Sequence, residues 1–376
     1  MAETRVIRTF VTHLRPHLDE IVAIWLFLKW RVICKINASR ARIVFLLGDG
    51  LCSDGRTLAQ HRRDPTSVLI GIGGSEFDEH AANGQSRKKG ECAATLTMKD
   101  LGNEKRPELQ GLLRFVLRTD LKGAIHPFDL SQMVRLGYGP PPPNGDIWTP
   151  EEGEIHKKVI LDTFAHLEDI YDKELRFRKA GEELGSNSSP ESIPGPGGRE
   201  LTLVVVKSDR DMVNKCARKK GGMKADIVVQ QRSSGHISIF TAYGRGLSLK
   251  GVAGMLHIEE QKAAGKVVTT DWHQLQAEGE VPGDDRWFYY PATETLLNGS
   301  STHPRDATRL KLELEKVVEL VKIAVDPSRF EPTRSRDCLA GRCTSTHSAP
   351  CPWQEWVLPR CRHLRHIQYQ ERQGTA

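Results

Sequence analysis

Two short segments of this chain carry side chains suited to metal chemistry. In the first, Thr12-His13-Leu14-Arg15-Pro16-His17-Leu18-Asp19-Glu20 follows an apolar run, Val6 to Val11, and leads directly into a very hydrophobic stretch. In the second, a short run from Ser67 to Ile72 leads into Gly73-Gly74-Ser75-Glu76-Phe77-Asp78-Glu79-His80. Both follow one plan: strand, turn, cluster of oxygen and nitrogen ligands. Imidazoles and carboxylates bind hard or borderline divalent ions, and grouping them beside buried structure is costly unless something compensates the charge. On this reading His13, His17 and Asp19 face one ion after the first strand. Asp78 and His80 supply a second group of ligands, Glu79 ligates or accepts a proton, and Asp120 closes the site from the end of a later helix. An isolated Asp-Glu at a helix start is more simply an N-terminal cap and dipole partner. The occurrence of two clusters at equivalent strand ends favours a site.

Elements must place these groups. Strands are expected over Val6–Thr12, Arg42–Leu47 and Ser67–Ile72, and helices over Glu20–Arg31, Glu91–Leu101 and Pro107–Arg118. Short β-rich runs alternating with helical segments predict a parallel sheet covered by helices. Ligands in such sheets bind beyond the carboxyl ends of the strands, where both clusters fall. The run Gly139 to Gly145 contains four consecutive prolines and marks a loop. Glu151–Glu183 reads as a long charged helix, and Gly185–Arg199, rich in Ser, Pro and Gly, as a flexible linker. A second α/β unit follows. Its expected strands are Leu201–Val206, Asp226–Gln231, His236–Thr241 and Trp287–Tyr290; its expected helices are Asp209–Lys220, Ser248–Ala264 and Asp306–Val325. Arg232-Ser233-Ser234-Gly235 is a hairpin signal. The fold class expected is therefore α/β, in four segments: residues 1–138 as a metal-binding domain, 139–199 as helix and linker, 200–327 as a smaller α/β substrate-binding domain, and 328–376 as a basic Cys- and His-rich tail.

Composition fits this frame. The chain has 376 residues, 38% hydrophobic and 27% charged, with a formal charge of +6. That length supports two domains with sizeable cores. The longest apolar stretch, Ile21 to Leu28, is well short of the roughly 20 residues of a membrane span. The N-terminal residues lack the pattern of a signal peptide, so the expectation is a cytoplasmic protein without a membrane partner. A modest basic excess permits a polyanionic substrate without demanding one.

Four of the eight cysteines, Cys338, Cys343, Cys351 and Cys361, crowd into the tail with His347, His363 and His366. Four thiolates in so short a segment are candidate ligands of a tetrahedral Zn²⁺, although no Cys-x2-Cys knuckle is present. The rival readings are reduced thiols in a packed tail, a single-stranded nucleic-acid contact through Arg360, Arg362, Arg365, Trp353 and Trp356, and a docking segment for another protein. In the second unit, Asn298-Gly299-Ser300-Ser301 ends a strand with free amides and hydroxyls suited to a phosphate or carboxylate, or is an ordinary Asn-Gly turn.

The order of these motifs resembles the DHH phosphoesterase superfamily, closest to its MYG-type, metal-dependent exonuclease-like proteins. Thr12-His13 through Asp19-Glu20 is similar to the opening motif of that group, Gly73-Gly74 with Asp78-Glu79-His80 to its glycine pair and Asp-His-His, Glu91 to Leu96 to the start of the next helix, and Asp120 to a late Asp. The resemblance implies metal-ligand roles for His13, Asp19, Asp78 and Asp120, and ligand or phosphate contacts for His17 and His80. It implies one or two Mn²⁺ or Mg²⁺ ions, with Glu79 orienting water; Arg15 and the Arg87-Lys88-Lys89 run lie close in sequence to the clusters and are candidate contacts to other phosphates, although such a run is more commonly a solvated charged face. The layout from Trp287 to Ser301 resembles the family's substrate loop, which would give Asn298, Gly299 and Ser300 substrate contacts. Two positions depart from the pattern: Glu79 replaces the middle His, and Gly71 stands where a bridging Asp is usual. The expectation is a metal-dependent phosphoesterase acting on nucleic acid ends or nucleotides, with one ion, with Asp49 or Asp54 recruited, or without catalysis. In the last case it is a protein of the same fold that binds nucleotide or single-stranded nucleic acid without hydrolysing it.

Overall fold

The structure, a computed structural model, describes residues 5–30, 36–38, 40–47, 50–80, 88, 90–140, 148–219, 222–242, 244–268, 270, 272–298 and 309–325. The tail cysteines, Gly299, Ser300, Asp49, Arg87 and Lys89 lie outside the described residues. The chain divides into two compact units, Met1–Leu175 and Arg176–Ala376.

In the first unit a three-stranded parallel sheet is formed by β2 (Thr9–His13), β4 (Arg42–Leu46) and β5 (Ser67–Leu69), with β2 central. A two-residue parallel pair joins β1 (Arg5–Val6) to β3 (Ile36–Asn37). This confirms the parallel α/β expectation. Helix α1 (Leu18–Trp30) follows β2 after one turn. Its run of Ile, Val, Leu, Phe and Trp is apolar on every face, the pattern of a helix enclosed by the core, and residues 18–27 are all buried. Phe27 packs on Phe10 of β2 and on Phe77, with ring centroids 5.7 and 5.2 Å apart. The remaining helices are α2 (Leu58–Arg63), α3 (Ala93–Asp100), α4 (Pro107–Lys122), α5 (Leu130–Gly137) and α6 (Pro150–Asn187), the last belonging to the second unit from Arg176 onward.

Strand β5 is shorter than its apolar pattern suggests. Ladder pairing ends at Leu69, and Gly71, Gly73 and Gly74 all take positive φ, a conformation that glycine adopts without strain. Helix α4 runs past Arg118 to Lys122, so Asp120 sits inside its last turn rather than beyond its end.

The second unit holds β6 (Ser188–Pro194), β7 (Glu200–Lys207), α7 (Val213–Arg218), β8 (Ile227–Gln231), β9 (Ile237–Thr241), α8 (Lys250–Ala263), α9 (Trp272–Leu275), β10 (Gly279–Val281), β11 (Asp284–Tyr290), β12 (Thr295–Leu297) and α10 (Leu314–Ala324). The strands form one mixed sheet in the order β10-β11-β12-β9-β8-β7-β6, parallel only between β7 and β8. The hairpin joining β8 to β9 is as expected. The segment read as a flexible linker instead contains β6, paired antiparallel with β7 from Ser188 to Pro194. Pro190 and Pro194 are tolerated there because β6 is an edge strand, whose outward groups need no ladder partner.

The face of α8 toward the sheet carries an ionic group. His257 and Glu260 have no exposure and Asp284 has 1%. His257 Nδ1–H donates to Asp284 Oδ2 at 2.8 Å, Arg286 donates to Asp284 Oδ1 at 3.1 Å, and Glu260 accepts the backbone N–H groups of Lys311 and Leu312. These contacts tie α8, β11 and the start of α10 together. Burial raises the pKa of Glu260.

Candidate metal centre

Strand β2 delivers His13 at its carboxyl end, and the chain turns through Arg15, a non-glycine residue at φ 58°, and Pro16 into α1. Glu20, in the first turn, locks this corner. Its Oε2 accepts the His17 backbone N–H at 2.7 Å, half of a capping box, and its Oε1 accepts the Thr12 hydroxyl at 3.0 Å. His13 Nε2–H donates to the Gly71 carbonyl at 2.9 Å, which ties the corner to the end of β5. That bond fixes the tautomer and leaves Nδ1 as the acceptor nitrogen.

Asp19 projects toward the start of α3, where its Oδ2 accepts the Ala93 N–H at 3.3 Å. It is 4% exposed. Glu79, also 4% exposed, arrives from the turn after β5, and Asp120 from the last turn of α4. The carboxylate oxygens of Asp19, Glu79 and Asp120 lie within 4.8 Å of one another. Three elements far apart in sequence therefore converge on one point. Two further groups of the same closeness, His17–Asp19–Glu20 and Asp78–Glu79–His80, share Asp19 and Glu79 with it. The result is one continuous cluster of five carboxylates and two imidazoles.

The electrostatics follow from this crowding. Burial, then the Glu79 charge, pushes the Asp19 carboxyl up to about 6. Burial, then the Asp19 charge, pushes Glu20 well above the usual carboxylate range. Burial lowers both His13 and His17, so each is neutral near pH 7 and has an acceptor nitrogen. A divalent cation between Asp19, Glu79 and Asp120 would reverse the repulsion among these acids, and all-oxygen ligation suits Mg²⁺ or Mn²⁺. The residues present therefore fit such an ion.

The structure brings together Asp19, Glu79 and Asp120, three of the residues singled out in the sequence, and places the other candidates differently. Asp78 has both oxygens on backbone amides, Oδ2 on Gly74 N–H at 2.7 Å and Oδ1 on His80 N–H at 2.9 Å, so it shapes the turn that presents Glu79. His80 lies outward, its Nδ1 at 3.3 Å from Asp78 and 3.2 Å from Glu79. His17 also faces outward and joins the cluster through Asp19 and Glu20. His13 sits at the rim and is absent from the three tight groups. Arg15 donates to the Gly139 and Pro140 carbonyls. Asp54 does not join the cluster: its carboxylate is held by His61, Arg42 and the Arg56 N–H. In the second unit Asn298 is buried, and its side-chain amide donates to the Arg286 carbonyl at 2.6 Å.

Sequence reasoning missed the role of Glu20. A Cβ at Gly71 would fall 2.5 Å from Glu20 Oε1 and 2.8 Å from its Cγ. The space a side chain at position 71 would need is thus filled by a carboxylate from α1. The signal was present as Asp19-Glu20 facing a glycine two residues beyond β5, but spacing alone cannot show that the two positions meet.

No protein-family model matches this chain, and no curated protein matches it. Among solved structures it is similar to an uncharacterized protein from Helicobacter pylori G27, at 8% identity over 85% of this chain and 99% of that one. The TM-score of 0.21 is too low to speak for a shared fold. Among the described residues no helix is long and apolar enough to cross a membrane.

Proposed function

We propose that the first unit is the catalytic domain of a metal-dependent phosphoesterase, similar in plan to the DHH superfamily and acting on nucleic acid ends or nucleotides. The observation that carries this reading is the convergence of Asp19, Glu79 and Asp120 from α1, the β5 turn and α4 onto one point. These three carboxylates hold a Mn²⁺ or Mg²⁺ ion. Such an ion, when bound, polarises a phosphoryl oxygen and lowers the pKa of bound water.

The chain's own groups do the rest. Asp78 fixes the turn so that Glu79 projects inward. Glu20 holds the His13–His17 corner closed on the cluster. His17 and His80 stand at the open rim, where each has a ring nitrogen for a phosphoryl oxygen or a transferred proton. Glu79, beside His80, orients the attacking water.

The test is a manganese-dependent assay on oligonucleotides and on small nucleotides, with wild type beside Asp19→Ala and Asp120→Ala. The reading expects activity in the wild type and its loss in both variants. Equal activity in all three removes the acid cluster from the chemistry. Mn²⁺ binding that depends on Asp19 and Asp120, with no turnover of any substrate, would identify a binding protein built on the same site.

A further inference from the structure

The first unit also contains a cavity of about 220 Å³ that the acid cluster does not use. Among the described residues its walls include Arg15, Tyr138, Gly139, Pro140, Glu152 and His156. Glu152 and His156 are four residues apart on α6 and therefore share a face. Both carry buried polar atoms without a hydrogen-bond partner: Glu152 Oε2 and His156 Nδ1. Such orphans are rare in folded proteins and each calls for an explanation. His156 is 1% exposed and sits among the rings of Phe45, Tyr138 and Trp148, at centroid distances of 5.2, 5.1 and 6.0 Å. Burial, then the Arg15 charge, holds its pKa down to about 4, so the ring is neutral and one nitrogen accepts.

A cation lines the same space. Arg15 is held at φ 58° and donates through two nitrogens, to Gly139 O at 3.3 Å and Pro140 O at 3.0 Å. A guanidinium has five N–H donors, so others remain. Arg15 and Glu152 thus line one cavity with opposite charges and make no ion pair with each other. The volume lies below the roughly 300–1,000 Å³ of pockets for drug-sized ligands, so the occupant must be small.

We propose that this cavity binds a small zwitterion of the free amino acid class. Its ammonium group donates to Glu152 Oε2 and His156 Nδ1, and its carboxylate accepts from the remaining N–H groups of Arg15. The site is linked to the loop leading into α1, because Arg15 belongs to that loop and Tyr138 Oη donates to the Pro16 carbonyl at 2.8 Å. Occupancy therefore bears on the corner that carries His13 and His17.

The test is calorimetric titration of the full chain with each free proteinogenic amino acid, with methylammonium and acetate as half-ligand probes. The expected result is one-to-one binding of at least one amino acid, with neither half-probe binding comparably. Glu152→Gln, which keeps shape and removes charge, should weaken that binding about tenfold or more. Ile155 also lines the cavity, and Ile155→Phe, which narrows it without touching its charges, should weaken binding as well. The proposal is overturned if no amino acid binds, if binding survives both substitutions, or if methylammonium alone binds as tightly. It is also overturned if Zn²⁺ alone binds and is lost in Glu152→Gln, which would make the cavity a metal site.

Discussion

Replacing Gly71 by alanine tests whether Glu20 fills the space beside β5. Gly71 has φ +66°, and an added Cβ would lie 2.5 Å from Glu20 Oε1, 2.8 Å from Cγ and 2.9 Å from Cδ. The left-handed backbone alone costs an alanine about 1–2 kcal/mol. The reduced freedom of the unfolded chain offsets roughly 0.4–1 kcal/mol of that. Contacts this short force Glu20 to move, and it then loses the bonds from the Thr12 hydroxyl and the His17 N–H. At about 1 kcal/mol or more per bond the total cost is about 3 kcal/mol. The change must also be made in a Glu20→Ala chain, where only the backbone part remains. A coupling of about 1.5–2 kcal/mol is then expected between the two sites. Because two units unfold in this chain, the readout is hydrogen exchange of α1 and β2 amides rather than a single melting curve. An equal cost of Gly71→Ala in both backgrounds would refute the contact with Glu20 as its cause.

Other outcomes follow from the same structure. His156 is held down to about 4 by burial, against an ordinary value of 6.5, so the unfolded chain takes up a proton before the folded one does. Its contribution to stability is full above pH 6.5 and is lost as pH falls toward 4, by up to about 3 kcal/mol; His156→Phe should flatten acid unfolding in that window, and an unchanged profile would dismiss the shift. Asp284→Ala leaves Arg286 and His257 buried without their carboxylate and should cost about 3–5 kcal/mol in denaturant unfolding of the second unit; a cost under about 1 kcal/mol would mean the network carries little. For the tail, metal analysis of Cys351→Ser is expected to show lost zinc, and unchanged zinc would reject a thiolate site there.

Much of the fold was legible because its apolar runs are strong and clearly bounded. The strands expected over Val6–Thr12 and Arg42–Leu47 appear as the parallel strands Thr9–His13 and Arg42–Leu46, and the all-apolar run from Ile21 becomes a buried helix. The linker reading failed at Ser188–Pro194 because composition reports local preference, whereas β6 is held by pairing with β7. At the site, residue types singled out Asp19, Glu79 and Asp120 as candidates, but spacing could not show that their oxygens lie within 4.8 Å of one another. Asp78, expected as a ligand, also shapes its own turn, since its oxygens accept the amides of Gly74 and His80 close by in the chain. The role of Glu20 was hidden because Gly71 stood out only as a missing Asp, and spacing cannot show that a carboxylate from α1 fills the space beside it.

Asp19, Glu79 and Asp120 are proposed to hold one divalent cation together. Electron paramagnetic resonance of Mn²⁺ titrated into wild type and Asp120→Asn measures this directly, since Asp120 comes from a different element than the other two. Saturable binding is expected in the wild type, weakened about tenfold or more in Asp120→Asn at unchanged folding. Equal binding by the two proteins, or none by the wild type, would contradict it.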